Sequence, residues 1–174
     1  MTHIKQPLWE PAQSQIDAAN VTKFINEINV ADSKQIMDFS ELHDWSINHP
    51  EKFWSHHLWQ FAHVIADKGN HVLDNKEQMP GALWFSDSKI NFAENLLQYT
   101  NKTPQQDAII FRGEDKIKRR LSFLELEKQV ASVAQFLRKK GIAQGDIVAA
   151  YLPNMPEAVI TMLATASLGA IWTS

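Results

Sequence analysis

The chain has 174 residues, 44% of them hydrophobic and 21% charged, which is the make-up of an ordinary globular protein long enough to bury a core. Seventeen basic against twenty acidic residues leave a net charge of −3, which argues against a general nucleic-acid or acidic-membrane binder. No cysteine occurs, so disulfides, a thiol nucleophile and thiolate metal sites are excluded, and a reducing cytoplasm is the expected setting. The first residues lack the apolar core of a signal peptide, and no run of about 18 apolar residues offers a membrane span.

Residues 1–80 read as a helical N-terminal extension. Prolines at 7 and 11 predict an extended arm, with Trp9 as its anchor, because each biases the preceding residue away from helix. Val21, Phe24, Ile25 and Ile28 recur at helical spacing behind Asn20. Ser40 is the expected cap of a second helix, and Pro50 sits where a first-turn proline starts a third. In that third helix Trp54, Leu58, Phe61 and Ile65 form the expected stripe. The region is rich in histidine (His43, His49, His56, His57, His63, His71) and tryptophan (Trp45, Trp54, Trp59). Zinc is the competing reading, but no H-E-x-x-H occurs, so these histidines are read as structural. The tryptophans are read as core and interface anchors.

Residues 81–174 read as an α/β unit. A polar, irregular stretch over 69–81 ends in a Met79-Pro80-Gly81 turn signal, and Asn91 with Glu94 repeats N-terminal capping logic ahead of a helix showing Phe92, Leu96 and Tyr99 on one face. Residues 107–111 and 116–121 form the two strands of an expected hairpin. Its basic residues Lys116, Lys118, Arg119 and Arg120 invite a phosphate-binding reading. A solvated edge strand protected by positive charge is preferred.

Ser122 and Glu125 form a capping box flanked by Leu121 and Leu126 as a hydrophobic staple. Leu126, Val130, Val133 and Leu137 then share a face, basic residues 138–140 complement the helix dipole, and Gly141 ends the helix so that Ile142 folds back on Leu137. Residues 147–152 predict a parallel strand covered on both faces. Asn154 and Pro156 restart a helix that is apolar nearly all round from 158 to 168, and Ile171 and Trp172 begin a second strand. Ligands of parallel sheets sit beyond the strands' carboxyl ends, so the loop of residues 152–155 is the expected direction of any site. Neither G-x-G-x-x-G nor G-x-x-x-x-G-K-[ST] occurs, so no phosphate-cradling turn is assigned.

Two stretches carry a resemblance. A-L-W-F-S-D-S-K-I-N-F-A-E-N-L-L over 82–97 and the whole of 121–174 resemble the acetoacetyl-CoA synthetases of the adenylate-forming acyl-CoA synthetase superfamily. The L-W-E-P over 8–11, the tryptophan-rich extension and N-F-A-E-N-L-L point to that branch rather than to the acetyl-CoA synthetases. The resemblance implies a fold in which a helical extension precedes an incomplete parallel-sheet unit, namely hairpin, helix, strand, helix and the start of a strand, of the AMP-binding domain. It implies an enzyme that uses ATP, magnesium and coenzyme A to activate acetoacetate through an acyl adenylate. It also implies that these residues are about the first quarter of such an enzyme. The phosphate loop, adenine and ribose contacts and catalytic lysine would then lie beyond Ser174, so no catalytic, cofactor-binding or metal residue is assigned within the chain. Alone, the chain is expected to be inactive and to self-associate through its unfinished sheet. The competing reading is a stand-alone oligomerisation or protein-interaction module.

Overall fold

A computed structural model describes residues 8–114 and 117–174, which form two compact units. One comprises 8–64 with 70–86, the other 65–69 with 87–174. The expected boundary at 80/81 falls inside the connection between two paired strands of the first unit, Leu73–Asp74 and Leu83–Trp84.

The first unit is built on helices α1 (Gln13–Ala18), α2 (Asn20–Asp32) and α3 (Phe39–Asn48). A fourth helical run over 50–61 joins α4 (Pro50–Lys52), a π-helical turn Phe53–Leu58 and α5 (Trp59–Phe61). Phe24, Ile25, Ile28, Ile36, Leu42 and Trp45 are buried together, with Phe53, Leu58 and Phe61 packed against them. Asn29 fixes the turn after α2 by acting as a surrogate peptide: its amide donates to the Ile36 carbonyl and its oxygen accepts from the Ile36 N–H, both at 2.8 Å. Strands β2 (Leu73–Asp74) and β3 (Leu83–Trp84) pair antiparallel as a short ribbon.

The second unit begins with β1 (Ala66–Asp67), which pairs antiparallel with β4 (Lys89–Ile90). Next come α6 (Phe92–Leu97), a 3₁₀ turn Gln98–Asn101, and the hairpin of β5 (Asp107–Arg112) with β6 (Lys118–Ser122). Helix α7 (Phe123–Lys139), β7 (Ile147–Ala149), α8 (Pro156–Ser167) and β8 (Ile171–Thr173) complete it. The expected signatures of α7 are present. Ser122 accepts from the Glu125 N–H and Glu125 accepts from the Ser122 N–H, while Gly141 turns left-handed at φ 90° and the Ile142 N–H reaches the Leu137 carbonyl. Leu126 and Val130 of α7 bury against Ile160, Leu163 and Ala164 of α8, with Ala93 and Leu121 in the same cluster. β7 and β8 are parallel, Val148 facing Trp172, so the β-α-β unit forms as the sequence implies.

Several local expectations are corrected. Trp9 is 72% exposed and anchors nothing among the described residues; Pro7 and Lys116 lie outside those residues. Asp38, not Ser40, caps α3, its carboxylate accepting from the Glu41 N–H at 2.9 Å. Leu58 and Phe61 of the expected stripe face the core, but the π turn breaks the 3.6-residue period after Pro50, so Phe53, five residues before Leu58, takes the place expected of Trp54; Trp54 is left 43% exposed and Ile65 lies outside the helix. In α6 the buried face is Ala93 with Leu96 and Leu97, while Phe92 and Tyr99 are largely exposed. β7 is three residues long rather than six, because its ladder extends only as far as β8, and its Ile147 is 66% exposed instead of covered. Met155, not Asn154, occupies the cap of α8.

Candidate functional site

The carboxyl end of β7 leads into residues 152–155, and this loop borders a cleft of about 300 Å³ in the second unit. Strand β5 supplies one wall through Ile109, Ile110, Phe111 and Arg112, the last of these and Ile110 lying at the rim toward the hairpin's outer face; Asn154, Met155 and Val159 supply the other. The sheet places this loop where ligands of parallel α/β units gather.

Its chemistry is not that of a phosphate site. Helix α8 starts with Met155 at the cap, where no side chain bonds the free amides, and with Pro156, which has no amide to offer. Glu157 then sits in the first turn, so the positive end of the helix dipole already faces a carboxylate. Arg119 Nη1 donates to Glu157 Oε1 at 2.6 Å, and that hydrogen bond holds the Glu157 carboxyl below its ordinary value. A triphosphate brought to this helix start would meet negative charge and too few donors. The residues present therefore do not fit ATP or its magnesium, and no step is assigned to them.

The hairpin cations divide. Arg119 points inward to Glu157 and Arg120 pairs with Asp107, so neither is merely a solvated edge charge. Lys118 is exposed.

The six described histidines are dispersed rather than gathered. His57 Nε2 lies 3.2 Å from Asp32 Oδ2, and the same oxygen accepts from Lys52 Nζ at 2.7 Å. That lysine hydrogen bond is the main reason the Asp32 carboxyl titrates below its ordinary value, with His57 adding to it against the cost of burial. His49 stacks on Trp45 with ring centroids 5.6 Å apart, His56 bonds Ser55 at 2.9 Å, and His71 lies 3.4 Å from Asp74. Among the described residues no three histidine, aspartate or glutamate side chains converge as a metal site would need. The first unit has its own cleft of about 610 Å³, bounded by Ile47, Pro50, Met79 and Trp84 with Lys76 and Glu77 at its rim, and it gathers no catalytic constellation.

The Asn91 cap of α6 forms as expected, but sequence reasoning missed the longer-range bonds made by the asparagines of N-F-A-E-N. Asn91 accepts from the Glu94 N–H as the α6 cap and donates from Nδ2 to the Ala166 carbonyl at 3.0 Å, tying α6 to the end of α8. Asn95 accepts from the Ile65 N–H at 2.8 Å and donates to the Ile65 carbonyl at 2.7 Å. No local sequence signal marks these longer-range bonds, because their partners lie thirty or more positions away.

Comparison with known proteins agrees with this architecture. Residues 96–173 match the family described as AMP-binding enzyme, and residues 39–96 match that described as acetyl-coenzyme A synthetase N-terminus. The chain is 41% identical over 170 residues to an acetoacetyl-coenzyme A synthetase of Rhizobium meliloti (strain 1021), covering 98% of this chain and 26% of the relative. It is 33% identical over 169 residues to an acetoacetyl-CoA synthetase of Xenopus tropicalis, covering 96% of this chain and 25% of that protein. A solved structure of acetoacetyl-CoA synthetase from Streptomyces lividans superposes with a TM-score of 0.82 at 33% identity, over 97% of this chain and 26% of the other. The chain is similar to the N-terminal portion of the acetoacetyl-CoA synthetases, and its residues 96–173 match the AMP-binding enzyme family. It spans about a quarter of the length of the curated relatives it matches. The family's fold accounts for the split character of the chain, with a helical segment ahead of the β-α-β unit that lies within the AMP-binding match. Among the described residues no helix is long and apolar enough to cross a membrane.

Proposed function

We propose that these residues form the N-terminal portion of an ATP-dependent acetoacetate-CoA ligase, which converts acetoacetate, ATP and coenzyme A to acetoacetyl-CoA, AMP and pyrophosphate. The observation that carries this reading is 41% identity to a synthetase of that name across 98% of the chain. In this reading residues 1–80 are the helical extension and residues 81–174 the first part of the AMP-binding domain. The chain contributes scaffold: α7 and α8 hold β7 and β8 in parallel register, so that strands and loops from the rest of the enzyme complete the ATP, magnesium, coenzyme A and acyl sites. The enzyme works in the cytoplasm, on small molecules and on no nucleic acid or membrane.

The test is acetoacetate-dependent exchange of pyrophosphate into ATP by the protein that contains this sequence, isolated from its source cells. Exchange with acetoacetate above that with acetate supports the assignment, and an absence of exchange with any short acid sinks it. Calorimetric titration of the 174-residue chain with ATP or coenzyme A is expected to give no heat of binding; stoichiometric binding would contradict the scaffold role.

A second reading is favoured by the exposed apolar residues of the two-stranded sheet, Ile147 at 66% and Ile171 at 52%. In it the chain by itself is a self-associating module. A native band of 19.9 kDa in source cells would favour this reading, and a band several times heavier would favour the ligase.

A further inference from the structure

The outer face of the β5–β6 hairpin sets two like charges directly opposite one another. Residues directly opposite in an antiparallel pair share a face, and the register sets Ile110 opposite Arg120 and Arg112 opposite Lys118. The face therefore holds three cations around an isoleucine that is 66% exposed. Like charges directly opposite destabilise a strand pair. Elsewhere the chain does the reverse: Asp67 stands opposite Lys89 in the β1–β4 pair, and Arg119 on the hairpin's inner face meets Glu157; on the outer face itself only Arg120 is matched, by Asp107. Among the described residues Arg112 and Lys118 have no acidic partner. Edge protection needs a charge on a strand, but it does not need two of one sign set face to face beside an exposed isoleucine.

We infer that this hairpin face is a docking surface for an acidic protein segment, which sets carboxylates against Arg112 and Lys118 and an apolar side chain against Ile110. Charge complementarity selects the partner. A carboxylate bridging the two cations turns their repulsion into two charge-assisted hydrogen bonds, and Ile110 supplies the desolvated centre inside a cationic rim. A depression of about 290 Å³ bounded by residues 110–112 and 118–120 gives that apolar side chain a seat. Arg112 and Arg120 add planar, fork-shaped donors suited to carboxylates. Inorganic phosphate shares the negative charge but has no apolar group for Ile110, and an anionic lipid surface presents its charged headgroups with the acyl chains buried in the bilayer.

The probe is a fluorescein-labelled ten-residue peptide of glutamates with one central leucine, titrated with the 174-residue chain and followed by anisotropy. Saturable binding is expected, weakened at least tenfold in the double variant Arg112→Gln, Lys118→Gln and severalfold in Ile110→Ser. Because the double variant removes a repulsion, its Tm should stay level or rise, so a loss of binding cannot be put down to unfolding. Lys139→Glu, at the far end of α7, should bind as the parent does. The inference is overturned if the double variant binds undiminished, or if a leucine-free glutamate peptide binds equally well. It is also overturned if a labelled RNA or phosphatidylserine vesicles bind more tightly than the peptide with the same dependence on Arg112 and Lys118.

Discussion

Asn95 clasps Ile65 by both of its backbone groups, accepting from the N–H at 2.8 Å and donating to the carbonyl at 2.7 Å, although thirty positions separate them. The amide side chain thus stands in for a strand neighbour and sets the start of β1 beside α6. Replacing it with leucine removes both bonds at about 1 kcal/mol each, and Asn95→Asp keeps only the acceptor. Asn95→Leu should cost about 1 to 2 kcal/mol in urea unfolding. Faster amide exchange at residues 65–67 and 89–90 than across α7 would locate the loss.

Arg119 and Glu157 join the hairpin to the first turn of α8, and each is more than a third exposed. Solvent screening limits the pair to about 0.5 to 1 kcal/mol, so Arg119→Ala should destabilise by no more than that at neutral pH. The Glu157 carboxyl is lowered, so its contribution is present above the ordinary glutamate value and is lost as the pH falls through the depressed one. The parent and Arg119→Ala should therefore converge in stability as the pH falls through that depressed value and the carboxylate is protonated. A gap that persists there would assign the effect to packing of the arginine stem.

Asp32 serves two partners at once, Lys52 and His57, and its side chain is only 11% exposed. Asp32→Asn should cost about 1 to 3 kcal/mol, since charged hydrogen bonds in a mostly buried setting are lost. The carboxyl is lowered from 3.8, so this stabilisation holds above that value and fades as acid protonates it below. Thermal unfolding followed from neutral to progressively more acid pH should show the parent losing more Tm than the variant as the pH falls through the depressed value.

Ser122 starts α7 with a reciprocal cap, accepting from Glu125 N–H at 3.3 Å while its own N–H meets the Glu125 carboxylate at 2.8 Å. Ser122→Ala should destabilise by about 1 kcal/mol, and Ser122→Asp should recover most of it. Denaturant midpoints of the three proteins check this, and equal midpoints would mean the helix is held by its buried face alone.

β7 and β8 leave Ile147 and Ile171 exposed beside open strand edges. The chain alone should migrate as a dimer or larger species at micromolar concentration, and Ile147→Lys should shift it toward monomer. Analytical ultracentrifugation decides. A parent that sediments as a monomer would rule out association through this sheet.

What the sequence determined by itself was local. Ser122 with Glu125, the four-residue spacing of Leu126 and Val130, and Gly141 fix α7 within its own turns, because caps and periodic burial act between residues a few positions apart. The start of α8 was legible in part, with Pro156 and Glu157 in its first turn as expected and Met155 at its cap. Tertiary structure alone decided the rest. The π turn at Phe53–Leu58 exchanges the expected Trp54 stripe for Phe53, whose ring meets Phe24 at 5.7 Å, a choice made by the core and not by propensity. Asn95 with Ile65, Arg119 with Glu157 and the two-residue ladders β1–β4 and β2–β3 join groups far apart in the chain. No local signal announces such partners, because the energy that selects them exists only once the two segments have been brought together.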